Sequence, residues 1–245
     1  IGNILGRASG WSYTCVYWIY EYRRQRKRNK EEKNVEFRTL ENTDILDIYK
    51  VFLKVFSDYQ VSVAMPFEAF GTMLKRNGFT PDVSVGAFEN GKLLGFVLNA
   101  VRVRQGVKTI YDLGTGVIPD FRRTGITSGL LERVNALCES DGIAEYRLEV
   151  IQENMNAVTL YQRQGFQVDR NLNCYCLQKK IAEKKGPNRW KILHPETMEA
   201  GRWCAAESIW NYAPSWQNTV DSICAADGSF CYTVAELDGE LIGYG

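Results

Sequence analysis

The chain has a single histidine, His194, and seven cysteines without the paired short spacings of a metal site. One histidine excludes sites built from several histidines. Because residues 34–180 contain none, neither a Ser-His-Asp nor a Cys-His catalytic arrangement can form there. An odd number of scattered cysteines does not fit a disulfide framework. These absences predict a cytoplasmic protein with reduced thiols and no metal.

The chain also lacks a strong net charge and a long apolar run. Its formal charge is +1, but residues 1–33 carry eight basic and three acidic side chains, which leaves 22 basic and 26 acidic ones in the rest. A mildly acidic body argues against nucleic acid as a partner. The apolar stretch Trp11–Tyr20 is shorter than the ~18–20 residues that cross a bilayer, so no membrane partner is expected either.

Residues 1–33 do not match the remainder of the chain. The basic run Arg23–Lys30 begins three residues after the apolar stretch ends, an order typical of the end of a membrane anchor or of a nucleic-acid-binding arm. Both remain alternatives. We interpret residues 1–33 as a disordered or non-native leader that takes no part in the chemistry.

Regular hydrophobic periodicities begin at Val35. They predict strands at 35–40, 83–89, 92–104, 107–117 and 145–150, helices at 42–56, 66–77, 125–140 and 154–164, and a final hairpin of 167–169 with 172–177. The dipeptide Asn90-Gly91 predicts a tight turn between two of these strands. Asn42 or Thr43 is the expected N-cap of the first helix.

The segment Val117–Leu130 contains an Arg-x-x-Gly-x-Thr turn between a glycine-containing strand and an amphipathic helix. A glycine turn that opens a helix leaves free main-chain N–H groups at the positive end of the helix dipole, and such a site suits phosphate. Arg122 and Arg123 add donors for a diphosphate, and Gly125 permits close approach of the backbone.

A second motif follows in the pattern N-x-x-A-x-x-L-Y-x-x-x-G-F, from Asn154 to Phe166. Spacings of three and four place Ala157, Leu160 and Tyr161 on one helical face, and Gly165 stands where a left-handed helix end is expected. Other nucleotide-binding signatures are missing: there is no G-x-x-x-x-G-K-[ST], and Gly114-Thr-Gly116 lacks the third glycine of a dinucleotide fingerprint.

The two motifs together resemble the signature segments of the GNAT superfamily of acyl-CoA N-acyltransferases, over about residues 35–179. The resemblance implies a mixed α/β fold with a mostly antiparallel central sheet flanked by helices. It also implies acetyl-CoA as co-substrate and a GNAT domain at residues 34–180.

The resemblance implies roles for particular residues. The turn Arg122–Thr127 would bind the diphosphate, through Arg122, Arg123, Thr124, Gly125, Ile126 and Thr127. The preceding strand would splay from its neighbour, and main-chain groups of Thr115, Gly116 and Val117 would bond the pantetheine arm and the thioester oxygen. Glycines inside that strand suit a bulge. Thr127 departs from the family pattern, in which glycine or alanine is usual.

Three side chains are candidates for acid-base roles, and the resemblance bears on the first of them. Tyr161 aligns with the tyrosine that stands beside the thioester sulfur in many family members, although core packing is its alternative role. Asn154 aligns with a CoA-binding position, and is equally suited to cap its helix. Asp112 and Glu149 are candidate general bases, while water-mediated deprotonation needs neither.

The pattern starts again after a charged linker at residues 181–188. A strand at 190–193 and a helix at 195–209 are predicted, and the segment Ala87–Phe96 recurs as Ala235–Tyr244, at an offset of 148 residues. Such self-similarity predicts the N-terminal part of a second GNAT-like domain at 189–245. We expect this copy to be truncated before its own phosphate-binding turn, and therefore unable to hold CoA in the same way.

The sequence thus predicts an N-acetyltransferase that moves an acetyl group from acetyl-CoA to a primary amine of a small molecule, amino acid or peptide by direct attack in a ternary complex. A CoA-binding regulatory module without turnover is the alternative, as is association with nucleic acid or membrane through residues 23–30. The oligomeric state is not predicted.

Overall fold

The structure is a computed structural model that describes residues 14–21, 35–59, 63–174, 190–226 and 228–245. Contacts divide the chain into two units. The first comprises residues 1–74 and 78–176, and the second comprises residues 75–77 and 177–245. Among the described residues, no helix combines the length and the apolar character needed to cross a bilayer.

The first unit is built on a seven-stranded sheet. Its elements in chain order are β1 (Thr14–Glu21), β2 (Glu36–Thr39), α1 (Ile45–Val55), α2 (Phe67–Asn77), β3 (Val85–Glu89), β4 (Lys92–Arg104), β5 (Val107–Val117), α3 (Ile126–Ser140), β6 (Glu145–Ile151), α4 (Met155–Arg163) and β7 (Gln167–Asn173). The strand order is β2-β3-β4-β5-β6-β1-β7, and among the described strands only β5 and β6 pair in parallel. The predicted mixed α/β fold with a mostly antiparallel sheet is confirmed for this unit.

Local sequence signals set most element boundaries. Asn90 and Gly91 have φ values of 51° and 74°, as the predicted two-residue hairpin requires. Gly165 ends α4 with a φ of 93°. The predicted cap of α1 was wrong: Asp44, rather than Asn42 or Thr43, accepts a 2.8 Å hydrogen bond from Leu46 N–H. The cap lies one or two residues later because α1 begins only at Ile45.

The far edge of the sheet differs from the sequence prediction. The chain from Gln167 to Asn173 forms one continuous strand, so the predicted turn between residues 169 and 172 is wrong. Most of the second strand of that predicted hairpin, residues 172–177, lies outside the described residues. β1 pairs with both β6 and β7, although residues 1–33 were interpreted as a leader. Its sequence, TCVYWIYE, is rich in β-branched and aromatic residues that favour strands.

The sheet is covered on both faces. On one face, α3 and α4 close a core that contains Val97, Ile110, Leu130, Val134, Tyr146, Leu148 and Tyr161. On the other face, α1 packs Phe52 and Phe56 against Phe96 of β4, with ring centroids 6.2 and 6.5 Å apart. The end of α1 packs tightly against the sheet at Gly116, where a Cβ would overlap Val55 Cγ1.

The second unit contains a smaller antiparallel sheet. Its elements are β8 (Trp190–Leu193), α5 (Ala200–Ser208), α6 (Val220–Ala225), β9 (Val234–Leu237) and β10 (Glu240–Tyr244), with strand order β10-β9-β8. Met198, Trp203, Ala206, Tyr232 and Val234 form its buried core. The predicted strand and hairpin are confirmed, whereas the helix predicted from residue 195 begins only at Ala200.

We expect Gly116→Ala to destabilise the first unit by about 1 to 3 kcal/mol, because the new methyl group must displace the stiff Val55 side chain. Gly114→Ala is the matched control, since its Cβ would meet Phe56 Cζ at an ordinary 3.8 Å. Urea unfolding of both variants measures the difference. Equal midpoints for the two variants would show that α1 does not depend on the small residue at 116.

Candidate active site

A bulge in β5 sets the direction of the polar side chains at the centre of the first unit. The pairing of β4 with β5 shifts between Leu98, which faces Gly114, and Asn99, which faces Asp112, so Leu113 is an extra residue. Residues 112 and 115 would point to opposite faces of a regular strand. The bulge brings them to the same face, and the prediction of a bulged strand near Gly114 is confirmed.

The parallel pairing of β5 with β6 is short. It joins Thr109–Tyr111 to Glu145–Arg147, and no β5–β6 pair follows Tyr111 within these two fully described strands. Beyond that point β5 stays paired to β4, and β6 to β1. The two strands therefore separate, and main-chain groups of residues 112–117 face a gap in the sheet. The predicted binding residues Thr115, Gly116 and Val117 all lie on this edge.

Asp112 occupies the start of the gap and accepts three hydrogen bonds. Gly114 N–H donates to Oδ1 at 2.8 Å, while the hydroxyls of Thr115 and Tyr161 donate to Oδ2 at 2.6 and 3.0 Å. The carboxyl group is buried, with 7% of the residue exposed. Burial raises the pKa of Asp112 to about 6, because it outweighs the three hydrogen bonds, which lower it.

Tyr161 reaches this carboxyl from α4. Its ring packs edge to face against Phe166, with centroids 5.4 Å apart, so core packing and the polar contact occur together. Burial and the charge of Asp112 hold the pKa of Tyr161 well above its usual range. Asn154 caps the same helix and accepts from Ala157 N–H at 3.2 Å. Its capping role is thus observed, and its contact with CoA stays a prediction.

The predicted phosphate-binding turn connects β5 to α3. Arg123 and Gly125 have φ values of 61° and 92°, so the chain twice enters the left-handed region before α3 begins. The first bond of this helix joins Gly129 N–H to the Gly125 carbonyl, which leaves the N–H groups of Ile126, Thr127 and Ser128 outside the helical ladder. Thr124 Oγ1 donates to the Phe121 carbonyl at 2.7 Å.

The two arginines of the turn differ in their surroundings. Arg122 donates to Asp58, Val55 and Val117, and these bonds link the turn to the end of α1. Arg123 is exposed, and its side chain donates no hydrogen bond to any described residue. Asp58 was missed by the sequence reasoning, because it is 64 residues from Arg122 and no local pattern connects the two.

Glu149, the other candidate base, is half-buried on β6. Alternation along this strand places it on the face opposite to Tyr146 and Leu148, which belong to the core shared with Tyr161. The structure therefore brings Asp112, Thr115 and Tyr161 together and places Glu149 on the other side of the sheet. A direct role for Glu149 in the same proton transfer stays a prediction that this position does not favour.

Comparisons with known proteins match this architecture. The Acetyltransferase (GNAT) family matches residues 45–166. The [ribosomal protein bS18]-alanine N-acetyltransferase of Escherichia coli (strain K12) is 33% identical over 78 residues, which cover 32% of this chain and 50% of that protein. The N-alpha-acetyltransferase 50 of Danio rerio is 32% identical over 83 residues, or 34% and 49% of the two chains. The chain thus spans about half the length of the curated relatives it matches.

A crystal structure of a GCN5-related N-acetyltransferase from Sphaerobacter thermophilus superimposes with a TM-score of 0.51 and 21% identity, over 65% of this chain and 49% of that chain. This likeness concerns the fold alone. The family match identifies residues 45–166 as an acetyltransferase domain of the GNAT family, and the separation of β5 from β6 agrees with the splayed strand that this resemblance implies.

Proposed function

We propose that the chain is an N-acetyltransferase that transfers the acetyl group of acetyl-CoA to a primary amine by direct attack in a ternary complex. The observation that carries the proposal is the hydrogen-bonded group Asp112, Thr115 and Tyr161 at the gap between β5 and β6, next to the turn that opens α3. The family match supports the same reaction.

Main-chain donors and one arginine bind the cofactor. The N–H groups of Ile126, Thr127 and Ser128 lie at the positive end of the α3 dipole, where they suit a diphosphate. Gly125 leaves the approach open, since nothing lies within 4 Å of the position of a Cβ there. Arg123 supplies a free guanidinium, and the Thr127 hydroxyl adds a donor. Asn154 contacts the CoA arm at the start of α4.

The separated edge of β5 then holds the acetyl group. Main-chain groups of Thr115, Gly116 and Val117 bond the pantetheine arm and donate to the thioester oxygen. Charge grows on that oxygen when the amine nitrogen attacks the carbonyl carbon and the C–S bond breaks. Fixed donors at such an oxygen are worth roughly 2.7 to 4 kcal/mol of transition-state stabilisation in acyl-transfer enzymes.

Asp112 and Tyr161 move the proton from nitrogen to sulfur. The attacking nitrogen becomes more acidic as the C–N bond forms, and Asp112 takes its proton directly or through one water molecule. Tyr161 gives its own proton to the departing thiolate and regains one from Asp112 across their 3.0 Å hydrogen bond. A pKa of about 6 lets Asp112 both accept and release a proton near neutral pH.

The acceptor is a primary amine, and the α-amino group of a peptide or protein is the class we favour. The names of two relatives, an alanine N-acetyltransferase of a ribosomal protein and an N-alpha-acetyltransferase, support this choice. A small amine remains an outcome of the test, which is a thiol-release assay with acetyl-CoA against a panel of small amines and peptides.

We further propose that the second unit is a partial copy of the first. Each sheet contains three neighbouring antiparallel strands in chain order, β2-β3-β4 in the first and β8-β9-β10 in the second. Asp238 and Gly239, with φ values of 51° and 88°, repeat the turn of the first hairpin at the offset of 148 residues. The register shift also recurs. In each hairpin the second strand has one extra residue relative to the first strand, Leu94 in β4 and Ile242 in β10.

Arg123→Gln should weaken CoA binding at least about tenfold, because a charged hydrogen bond to phosphate contributes roughly 1.5 to 3 kcal/mol. Isothermal titration calorimetry with CoA measures the effect. Arg133→Gln, the same change at an exposed position along α3, is the control and should leave the affinity unaltered. An equal loss in both variants would indicate general charge attraction and count against a phosphate contact at Arg123.

Tyr161→Phe should lower kcat by roughly 10²-fold or more while the affinity for CoA changes little, because only the proton donor to the thiolate is removed. Thiol release and calorimetry give the two values. Tyr146→Phe is the matched control, since it deletes another buried hydroxyl, which donates to Asn99 Oδ1 at 3.1 Å. Full activity of Tyr161→Phe would contradict the proposed proton transfer and favour a role in packing.

Asp112→Asn should abolish a pH dependence of stability. The pKa of Asp112 in the folded state, about 6, exceeds its ordinary value of 3.8, so the folded protein binds this proton more tightly. Its contribution is complete below pH 3.8 and is lost as the pH rises through 6. Relative to Asp112→Asn, the wild-type chain should lose about 1.4 kcal/mol between pH 5 and 7.5 in urea unfolding. If the free energy of unfolding of the wild-type chain and of Asp112→Asn changed equally with pH, the Asp112 carboxyl would have its ordinary pKa in the folded protein.

A further inference from the structure

The guanidinium of Arg122 is held by groups of the protein itself. Nη1 and Nη2 donate to the two oxygens of Asp58 at 2.6 and 2.8 Å. Nη2 also donates to the Val55 carbonyl at 2.8 Å, and Nε to the Val117 carbonyl at 3.1 Å. Four hydrogen bonds thus fix the planar group in one orientation, with a two-pronged contact to the carboxylate.

These contacts join three parts of the first unit. Val55 is the last residue of α1, Val117 is the last residue of β5, and Arg122 opens the turn that leads to α3. The cation also lies at the negative end of the α1 dipole, where a positive charge is favoured. The hydrogen bond from Arg122 lowers the pKa of Asp58, and the same bond raises the pKa of Arg122, so both stay charged over the working range.

The segment after α1 that carries Asp58 also borders the candidate active site. Phe56 lies 3.8 Å from the position of a Cβ on Gly114. Tyr59 packs edge to face on Phe56, with centroids 5.5 Å apart. A contact that holds Asp58 therefore holds the neighbours of the site.

We propose that Asp58 and Arg122 are a pair of positioning residues, in which Asp58 keeps the Arg122 guanidinium bound to α1 and β5 and so orients the main-chain donors of the turn toward the diphosphate. Arg122 acts through the turn and does not itself contact phosphate. This inference rests on the proposed binding of CoA, and it assigns different roles to two adjacent arginines of one motif.

The role of Asp58 separates this proposal from a direct contact between Arg122 and phosphate. If Arg122 bound the diphosphate, neutralising Asp58 would release the guanidinium and remove a nearby negative charge, so CoA would bind as tightly or more tightly. If the pair orients the turn, the same change removes half of the contact that fixes Arg122, and CoA binds more weakly. The two roles predict opposite signs.

The test is calorimetric titration of CoA into the full chain and its Asp58→Asn, Asp58→Glu, Arg122→Gln and Asp58→Asn/Arg122→Gln variants. We expect Asp58→Asn to weaken binding about fivefold and Arg122→Gln about tenfold, since misplaced donors bind poorly. The double variant should match Arg122→Gln within about twofold, because the two side chains act through one contact. Asp58→Glu keeps the carboxylate and should restore affinity to within about twofold of wild type.

Tighter or unchanged binding by Asp58→Asn, together with a loss in Arg122→Gln, would overturn the proposal and make Arg122 a phosphate ligand. A loss of CoA affinity in the double variant equal to the product of the two single losses would also overturn it, because the two residues would then act independently. Failure of Asp58→Glu to recover would show that the carboxylate is not what matters. Absence of CoA binding by the wild-type chain refutes the proposed function itself, and this inference with it. Urea midpoints confirm that each variant is folded.

Discussion

The separation of β5 from β6 is the constraint on which the rest of the first unit depends. Parallel pairing continues only to Tyr111 and Arg147, after which each strand keeps a partner on its other side alone. A gap inside a sheet exposes main-chain donors and acceptors that a regular ladder would consume. The surrounding elements therefore have to keep the gap open while they bury the apolar side chains around it.

Three features maintain that arrangement, and each acts at the same end of β5. The extra residue Leu113 turns Asp112 and Thr115 to one side, Gly116 lets α1 approach the strand, and Arg122 ties the end of α1 to the end of β5. Asp112 then receives donors from its own strand and from α4. Shape and charge in the site thus depend on the same short stretch of backbone, from residue 112 to residue 122.

Local signals in the sequence account for most of this. Periodicity located the helices of the first unit and its strands β2 to β6, and Asn90-Gly91 and Gly165 marked turns that only a few residue types adopt. The glycines of β5 indicated a bulge, and Asp112 and Tyr161 were identified as site residues. Their mutual hydrogen bond could not be predicted, because it spans 49 residues and depends on how α4 packs. The place of β1 between β6 and β7 was missed for a similar reason: strand pairing is a long-range choice that composition does not encode.

The two sheets differ in what covers their hairpins among the described residues. Leu94 is 5% exposed and belongs to the core that α3 covers, whereas Ile242, which stands 148 residues later in the second hairpin, is 46% exposed. Phe37 pairs with Ala87 and packs toward α3 at Gly129, while Ile192, which pairs with Ala235, is 51% exposed. The described part of the second unit therefore has the hairpin but no helix over this face. In the first unit the same face lies under α3, and the first turn of α3 supplies the N–H groups that are proposed to bind the diphosphate.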